Sequence, residues 1–118
     1  ECKSIRRFDL EARTTEFARA IIMLCKKLPK NTINFELISQ LVRSAGSVGA
    51  NYREANDALS AKDFLHRMKI TRKEAKESVH WLELMLQAND MFESEISNNI
   101  KEAIELKKIF SKIIINSE

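Results

Sequence analysis

Almost nothing in this chain interrupts a helix. One proline, Pro29, and two glycines, Gly46 and Gly49, are the only strong backbone breakers in 118 residues. Both glycines fall in a single stretch, Gln40 to Ala55 (QLVRSAGSVGANYREA). Around them Leu41, Val42, Ala45, Val48, Tyr52 and Ala55 recur at three- and four-residue steps, the period of a helix buried on one side. Each glycine costs a helix roughly 1 kcal/mol relative to alanine. Close approach of a second backbone, inside a bundle or between subunits, is the expected compensation. Gly46, Gly49, Asn51, Tyr52 and Glu54 are therefore read as a close-packing or subunit-contact face, with Arg43 as a further polar member.

The rest of the chain repeats the helical period. Leu10, Thr14, Phe17, Ile21, Leu24 and Leu28 alternate four- and three-residue steps, which predicts a helix from about Asp9 to Leu28. Lys26 and Lys27 suit its negative C-terminal end, and Pro29 stops it. Asn34 is the expected N-cap of a second helix, from about Phe35 to Asp57. Ser60 to Asp63 carries the serine of a capping box, with aspartate in the usual place of glutamate, and opens a third helix that runs to about Ala88. Its inward residues are Phe64, Leu65, Met68, Ala75, Val79, Leu82 and Leu86. Asn89 and Asp90 break it, and Ser94 is the expected cap of a fourth helix, over about 94–115. That helix has Ile96, Ile100, Ala103, Ile104, Phe110, Ile113 and Ile114 inward. No hairpin turn or alternating strand pattern is present. The expectation is an all-α, single-domain, antiparallel up-down-up-down four-helix bundle spanning residues 1–118.

Composition narrows the function classes. With 44% hydrophobic and 31% charged residues the chain is far from disordered composition. No apolar run reaches the roughly 18 residues of a membrane span, and no segment reads as a secretory signal. Two cysteines make no disulfide framework: Cys25 follows an apolar run and reads as a core-packed thiol, and Cys2 lies in a polar, frayed terminus. A reducing, cytoplasmic setting fits. A formal charge of +3 with a pI near 9.0 is mildly basic and selects no partner by itself.

Catalytic chemistry has little to work with. His66 and His80 are 14 residues apart on the third helix, roughly 21 Å, too far to share a metal. Glu-x-x-His pairs, Cys-x-x-Cys and phosphate-binding glycine loops are missing, so no metal or cofactor is expected and the chain is read as non-enzymatic. Arg43, Ser44, Glu54 and Asp57, or Glu54, Asp57 and a histidine, are the residues an enzyme would have to use. A solvated face or a subunit contact explains them more simply. The spacing Gly46-Ser47-Val48-Gly49 copies the loop of an RNA-binding KH domain, but that loop belongs between strands and helices of an α/β fold. A membrane small-xxx-small motif fails too, because the helix is too polar for lipid.

Charge is uneven only on the third helix. Between Lys62 and Lys76 it carries Lys62, Arg67, Lys69, Arg72, Lys73 and Lys76 against Asp63 and Glu74. Lys62, His66, Lys69, Lys73, Lys76 and His80 step by four and three, so they share one face. Such a stripe suits the phosphate backbone of RNA or DNA. No aromatic residue is interleaved, so base stacking is unsupported. The nucleic-acid-binding candidates are Lys62, Arg67, Lys69, Lys73 and Lys76, with Arg43 and Arg53 secondary. The competing reading has the stripe face water or pair with Glu102 and Glu105 of the fourth helix. The chain would then serve as a protein-interaction scaffold or accessory subunit.

Residues Leu37 to Ala55, with Gln40-Leu41, Arg43-Ser44, Ser47-Val48 and Asn51-Tyr52 followed by Glu54, resemble the bacterial four-helix-bundle family linked to the intervening sequences of 23S ribosomal RNA genes. The likeness continues through Asp63-Phe64-Leu65-His66, Lys73 to Glu77 and Trp81-Leu82. The resemblance implies a four-helix bundle that assembles as a ring-like homopentamer, with a largely undefined cellular role. A related branch, the accessory proteins of diversity-generating retroelements, forms a basic barrel that engages a reverse transcriptase and nucleic acid; the present chain is only mildly basic by comparison.

Overall fold

The computed structural model describes residues 2–118, with side chains from Asp9 onward. Four long helices follow one another: α1 (Cys2–Lys27), α2 (Thr32–Asn56), α3 (Ala61–Ala88) and α4 (Glu93–Ser117), with a short 3-10 turn at Asp90–Phe92 leading into the last. No strand occurs among the described residues. Short connectors force antiparallel neighbours, and the helices pack in chain order around the bundle, α4 returning to α1. The backbones of diagonal pairs stay apart. Side chains cross the middle instead, as where the rings of Tyr52 on α2 and Phe110 on α4 stack with centroids 6.1 Å apart. The result is a rod of 45 × 22 × 19 Å.

The expected seams supply the core. Leu10, Thr14, Phe17, Ile21, Leu24 and Leu28 are all buried. So are Leu41, Ala45, Val48, Tyr52 and Ala55 on α2, Met68, Ala75 and Leu82 on α3, and Ile96, Ala103, Phe110 and Ile114 on α4. Burial of each large aliphatic side chain contributes roughly 1.5–3 kcal/mol. Val42 is an exception and lies at the surface.

Between these residues lie small buried polar groups, of which Thr14 falls in the expected seam and Ser44 and Ser78 do not. Thr14 returns its hydroxyl to the Leu10 carbonyl at 2.8 Å. Ser78 on α3 donates to Ser44 Oγ on α2 at 3.0 Å, and Ser44 in turn donates to the Leu41 carbonyl at 3.1 Å. These side chains satisfy themselves on the backbone while staying short, which lets α2 approach both neighbours closely.

The two glycines have different surroundings. A Cβ at Gly49 would lie 3.1 Å from Thr14 Oγ1, so this glycine marks the close contact of α2 with α1. A Cβ at Gly46 would meet no atom within 4 Å, and Gly46 is exposed. The close-packing account therefore holds within the bundle for Gly49, and no contact among the described residues explains Gly46.

Several helix ends differ from expectation. α1 starts at Cys2 and not near Asp9, which fits a segment free of glycine and proline; the Cys2 side chain lies outside those described. Asn31, not Asn34, caps α2 by accepting the Asn34 backbone N–H at 2.8 Å. Asn34 is instead buried and forms a reciprocal amide pair with Asn89, Nδ2 to Oδ1 at 2.9 and 2.8 Å in the two directions. Asn34 also donates to the Pro29 carbonyl, and Asn89 to that of Met85. This clamp ties the α1–α2 connector to the α3–α4 turn. Ser60 caps α3 as expected, accepting from the Asp63 N–H at 3.0 Å. Ser94 does not cap α4, because the 3-10 turn runs straight into the helix at Glu93.

Candidate nucleic-acid interface

α3 turns one long side to α2 and another to α4. At 3.6 residues per turn, each step rotates a side chain by about 100°. Lys69, Lys73 and Lys76 therefore share the α4-side edge, while Arg72 sits between them and the buried residue Met68 and is half-buried. Lys107 and Ser111 of α4 face them. Together Lys69, Arg72, Lys73, Lys76, Lys107 and Ser111 line a groove of about 390 Å³ between α3 and α4. Five of these six residues are cations, and none is an acid.

The acidic neighbours proposed for this face lie elsewhere. Glu102 takes a two-pronged hydrogen bond from Arg13 of α1, Nε to Oε2 at 2.8 Å and Nη2 to Oε1 at 2.9 Å. Glu105 also adds to the negative field at Arg13, whose guanidinium is raised above its ordinary pKa mainly by the Glu102 hydrogen bond. Both carboxylates thus serve the α1 side of α4. Among the described residues, the groove cations make one ion pair, Lys69 Nζ to Glu118 Oε2 at a long 3.7 Å. Arg72, Lys73, Lys76 and Lys107 make none.

The other candidates are dispersed. Lys62 is exposed on the first turn of α3, before the groove begins. Arg67, two residues before Lys69, is rotated about 200° from it and belongs to the α2 side of the helix. Arg43 is exposed on α2, where its charge reaches Glu74. Arg53 is engaged with α1, donating to Glu11 Oε1 at 3.1 Å and Thr15 Oγ1 at 3.2 Å, and Asn56 holds the other Glu11 oxygen at 2.8 Å. The candidates accordingly resolve into one concentrated site on the α4 side, with Lys62 and the three arginines set apart from it. Lys107 was missed, since only the pairing of α3 with α4 brings it opposite Lys76.

Residues of the proposed contact face also separate. Tyr52 and Gly49 are core, Asn51 is half-buried and donates to the Ser47 carbonyl at 2.9 Å, and Glu54 is exposed. Glu54, Asp57, His66 and His80 all lie at the surface. Among the described residues no three His, Cys, Asp or Glu side chains are gathered closely enough to hold a metal ion. Cys25 is half-buried, and that burial pushes its thiol up to about 11. No helix among the described residues is long and apolar enough to cross a membrane.

One carboxylate is unusual. Glu74, on the α2 side of α3, has a buried Oε1 without a hydrogen-bond partner. Burial raises its pKa first and Glu77 adds to the shift; Arg43 and Lys73 oppose it.

The sequence pattern of the 23S rRNA-intervening sequence protein family matches residues 6–112. The chain belongs to that family. It is also similar to a crystal structure of a protein of unknown function from the S23 ribosomal protein family of Bacteroides thetaiotaomicron. The two are 34% identical with a TM-score of 0.80, over 88% of this chain and 96% of that one. No curated protein matches significantly. In this family member, the α3–α4 groove gathers five cations and no acid.

Proposed function

We propose that the protein is a non-enzymatic, oligomeric helical bundle that binds the backbone of RNA or DNA through the basic face of α3. The observation that supports this reading is the cationic groove, whose lining holds five cations and no acid. Neutralising phosphates with these side chains releases condensed counterions, so affinity falls steeply with salt and depends little on sequence. No aromatic side chain lines the groove, which favours backbone over base contact. The resemblance to accessory proteins of diversity-generating retroelements and to ring-like pentamers belongs to the same proposal. Exposed Gly46 supports a subunit contact on α2, since no contact within this chain offsets its cost.

The test is binding of a labelled RNA and a labelled DNA duplex across a salt series. Replacing Lys69→Glu and Lys73→Glu together reverses two charges in the groove. It is expected to weaken binding by at least tenfold at low salt and to flatten the salt slope by about two. Salt-independent binding, or a double variant that binds like the parent, would overturn the proposal. Light scattering on the same samples tests assembly; a mass of 13.6 kDa, that of one chain, removes the oligomeric part.

A second reading, a protein-interaction scaffold, has its own support in the opposite groove. α1 and α4 are the least closely packed neighbours. Between them a groove of about 720 Å³ is lined by the apolar Ala12, Phe17, Ala20 and Met23 and by Asp9, Glu16, Glu95 and Glu102, with Arg13, paired to Glu102, as its one cation. A basic amphipathic helix fits that chemistry. Binding of such a peptide that is lost on Met23→Glu, with nucleic-acid binding unaffected by Lys69→Glu and Lys73→Glu, favours this reading over the first.

A further inference from the structure

The α3–α4 groove concentrates more positive charge than a passing nucleic-acid strand requires. Lys69, Arg72, Lys73 and Lys76 form one wall, and Lys107 with Ser111 forms the other. Arg72 and Lys107 are half-buried on opposite walls, and neither has a carboxylate partner among the described residues. The fold thus holds like charges together in a partly desolvated place, where their mutual repulsion is screened less than on open surface. Backbone phosphodiesters carry one charge each and are separated by a sugar, so a strand spreads its charge along the groove. A compact anion with several charges relieves this repulsion.

We infer that the groove is a binding site for a chain of linked phosphates, either free oligophosphate or the 5′-triphosphate end of an RNA. This deepens the reading of α3 as a phosphate-binding face and rests on it. A groove of about 390 Å³ has room for roughly a dozen water-sized volumes, enough for several phosphate groups. Arg72 offers a planar fork for two phosphate oxygens, the lysines are mobile point charges, and the Ser111 hydroxyl is a neutral donor. With no aromatic or apolar residue in the lining, nothing there holds a nucleobase, so recognition stops at the phosphates. Glu118, 3.7 Å from Lys69, is exposed at one end and moves aside or exchanges with the incoming anion.

The experiment titrates the full chain with inorganic tripolyphosphate by calorimetry, with orthophosphate at matched ionic strength as the control. The expected result is saturable tripolyphosphate binding at least tenfold tighter than orthophosphate. Lys107→Gln is expected to weaken it about tenfold, the typical worth of one charge-assisted contact. Lys30→Gln, exposed in the α1–α2 connector outside the groove, is expected to leave it within about twofold of the parent, since it removes no contact to the ligand. Circular dichroism and the melting temperature of both variants check folding. No preference over orthophosphate, or an unchanged Lys107→Gln variant, overturns the inference.

Two RNAs of one sequence, with a 5′-triphosphate or a 5′-hydroxyl, distinguish the sources. Preference for the triphosphate assigns the site to RNA ends; equal binding alongside tight tripolyphosphate assigns it to the free anion. Tripolyphosphate binding without binding of the 5′-hydroxyl RNA keeps this site and removes the backbone reading. Salt-dependent binding of that RNA without tripolyphosphate binding does the reverse.

Discussion

Gly46 and Gly49 are chemically identical and only one turn apart, yet a methyl group placed on each meets different surroundings. At Gly46 it meets nothing, so Gly46→Ala is expected to raise the stability of the folded chain by about 0.5–1 kcal/mol through helix propensity alone. At Gly49 it meets Thr14, and Gly49→Leu is expected to lower stability by about 1–3 kcal/mol or to prevent folding. Urea denaturation of the two variants checks both signs. Glu74 adds a pH dependence. Its pKa is raised in the folded state, so the native chain binds the proton more tightly than the unfolded one. Its contribution is therefore most favourable when protonated and declines as pH rises through the unfolded and then the folded pKa. Glu74→Gln is expected to equal the parent in stability at low pH and to exceed it at neutral pH, measured by denaturant midpoints across that range. Neither glycine's surroundings nor the environment of Glu74 was legible from local sequence, because each depends on which helix lies opposite.

At the scale of helices, the apolar seams were legible because period and burial coincide. All six residues of the Leu10–Leu28 series are buried. Helix ends were less so. Asn31 and Asn34 are both good caps by residue type, and only the presence of Asn89 across the bundle gives Asn34 its different task. The two asparagines should therefore respond differently to truncation. Asn31→Ala removes an exposed cap and is expected to cost about 1 kcal/mol. Asn34→Ala leaves the buried Asn89 Oδ1 without its donor and one Nδ2 hydrogen without its acceptor, and takes a donor from the part-buried Pro29 carbonyl, with an expected cost of about 2–3 kcal/mol. Thermal unfolding of both variants tests the order. The basic stripe was half legible. Its rhythm along α3 can be counted, but the pairing of α3 with α4 cannot, so Lys107 went unseen and Glu102 was assigned to the wrong neighbour.

For the whole molecule, α4 acts as a divider. On one side its carboxylates meet α1, through Arg13–Glu102 and through Lys27–Glu95 at 3.1 Å. On the other it contributes Lys107 to the cationic groove. The groove's five cations thus stand out against a formal charge of only +3 for the whole chain. Exposed ion pairs contribute only about 0–1 kcal/mol each to stability, so this arrangement matters little for holding the rod together. Its effect falls on motion before contact. A rod whose unpaired cations gather in one groove carries an uneven field across its short axis. In the field of a polyanion it experiences a torque that turns the α3 side inward during approach. Orientation is then set in solution, and the fraction of collisions that are productive rises as ionic strength falls.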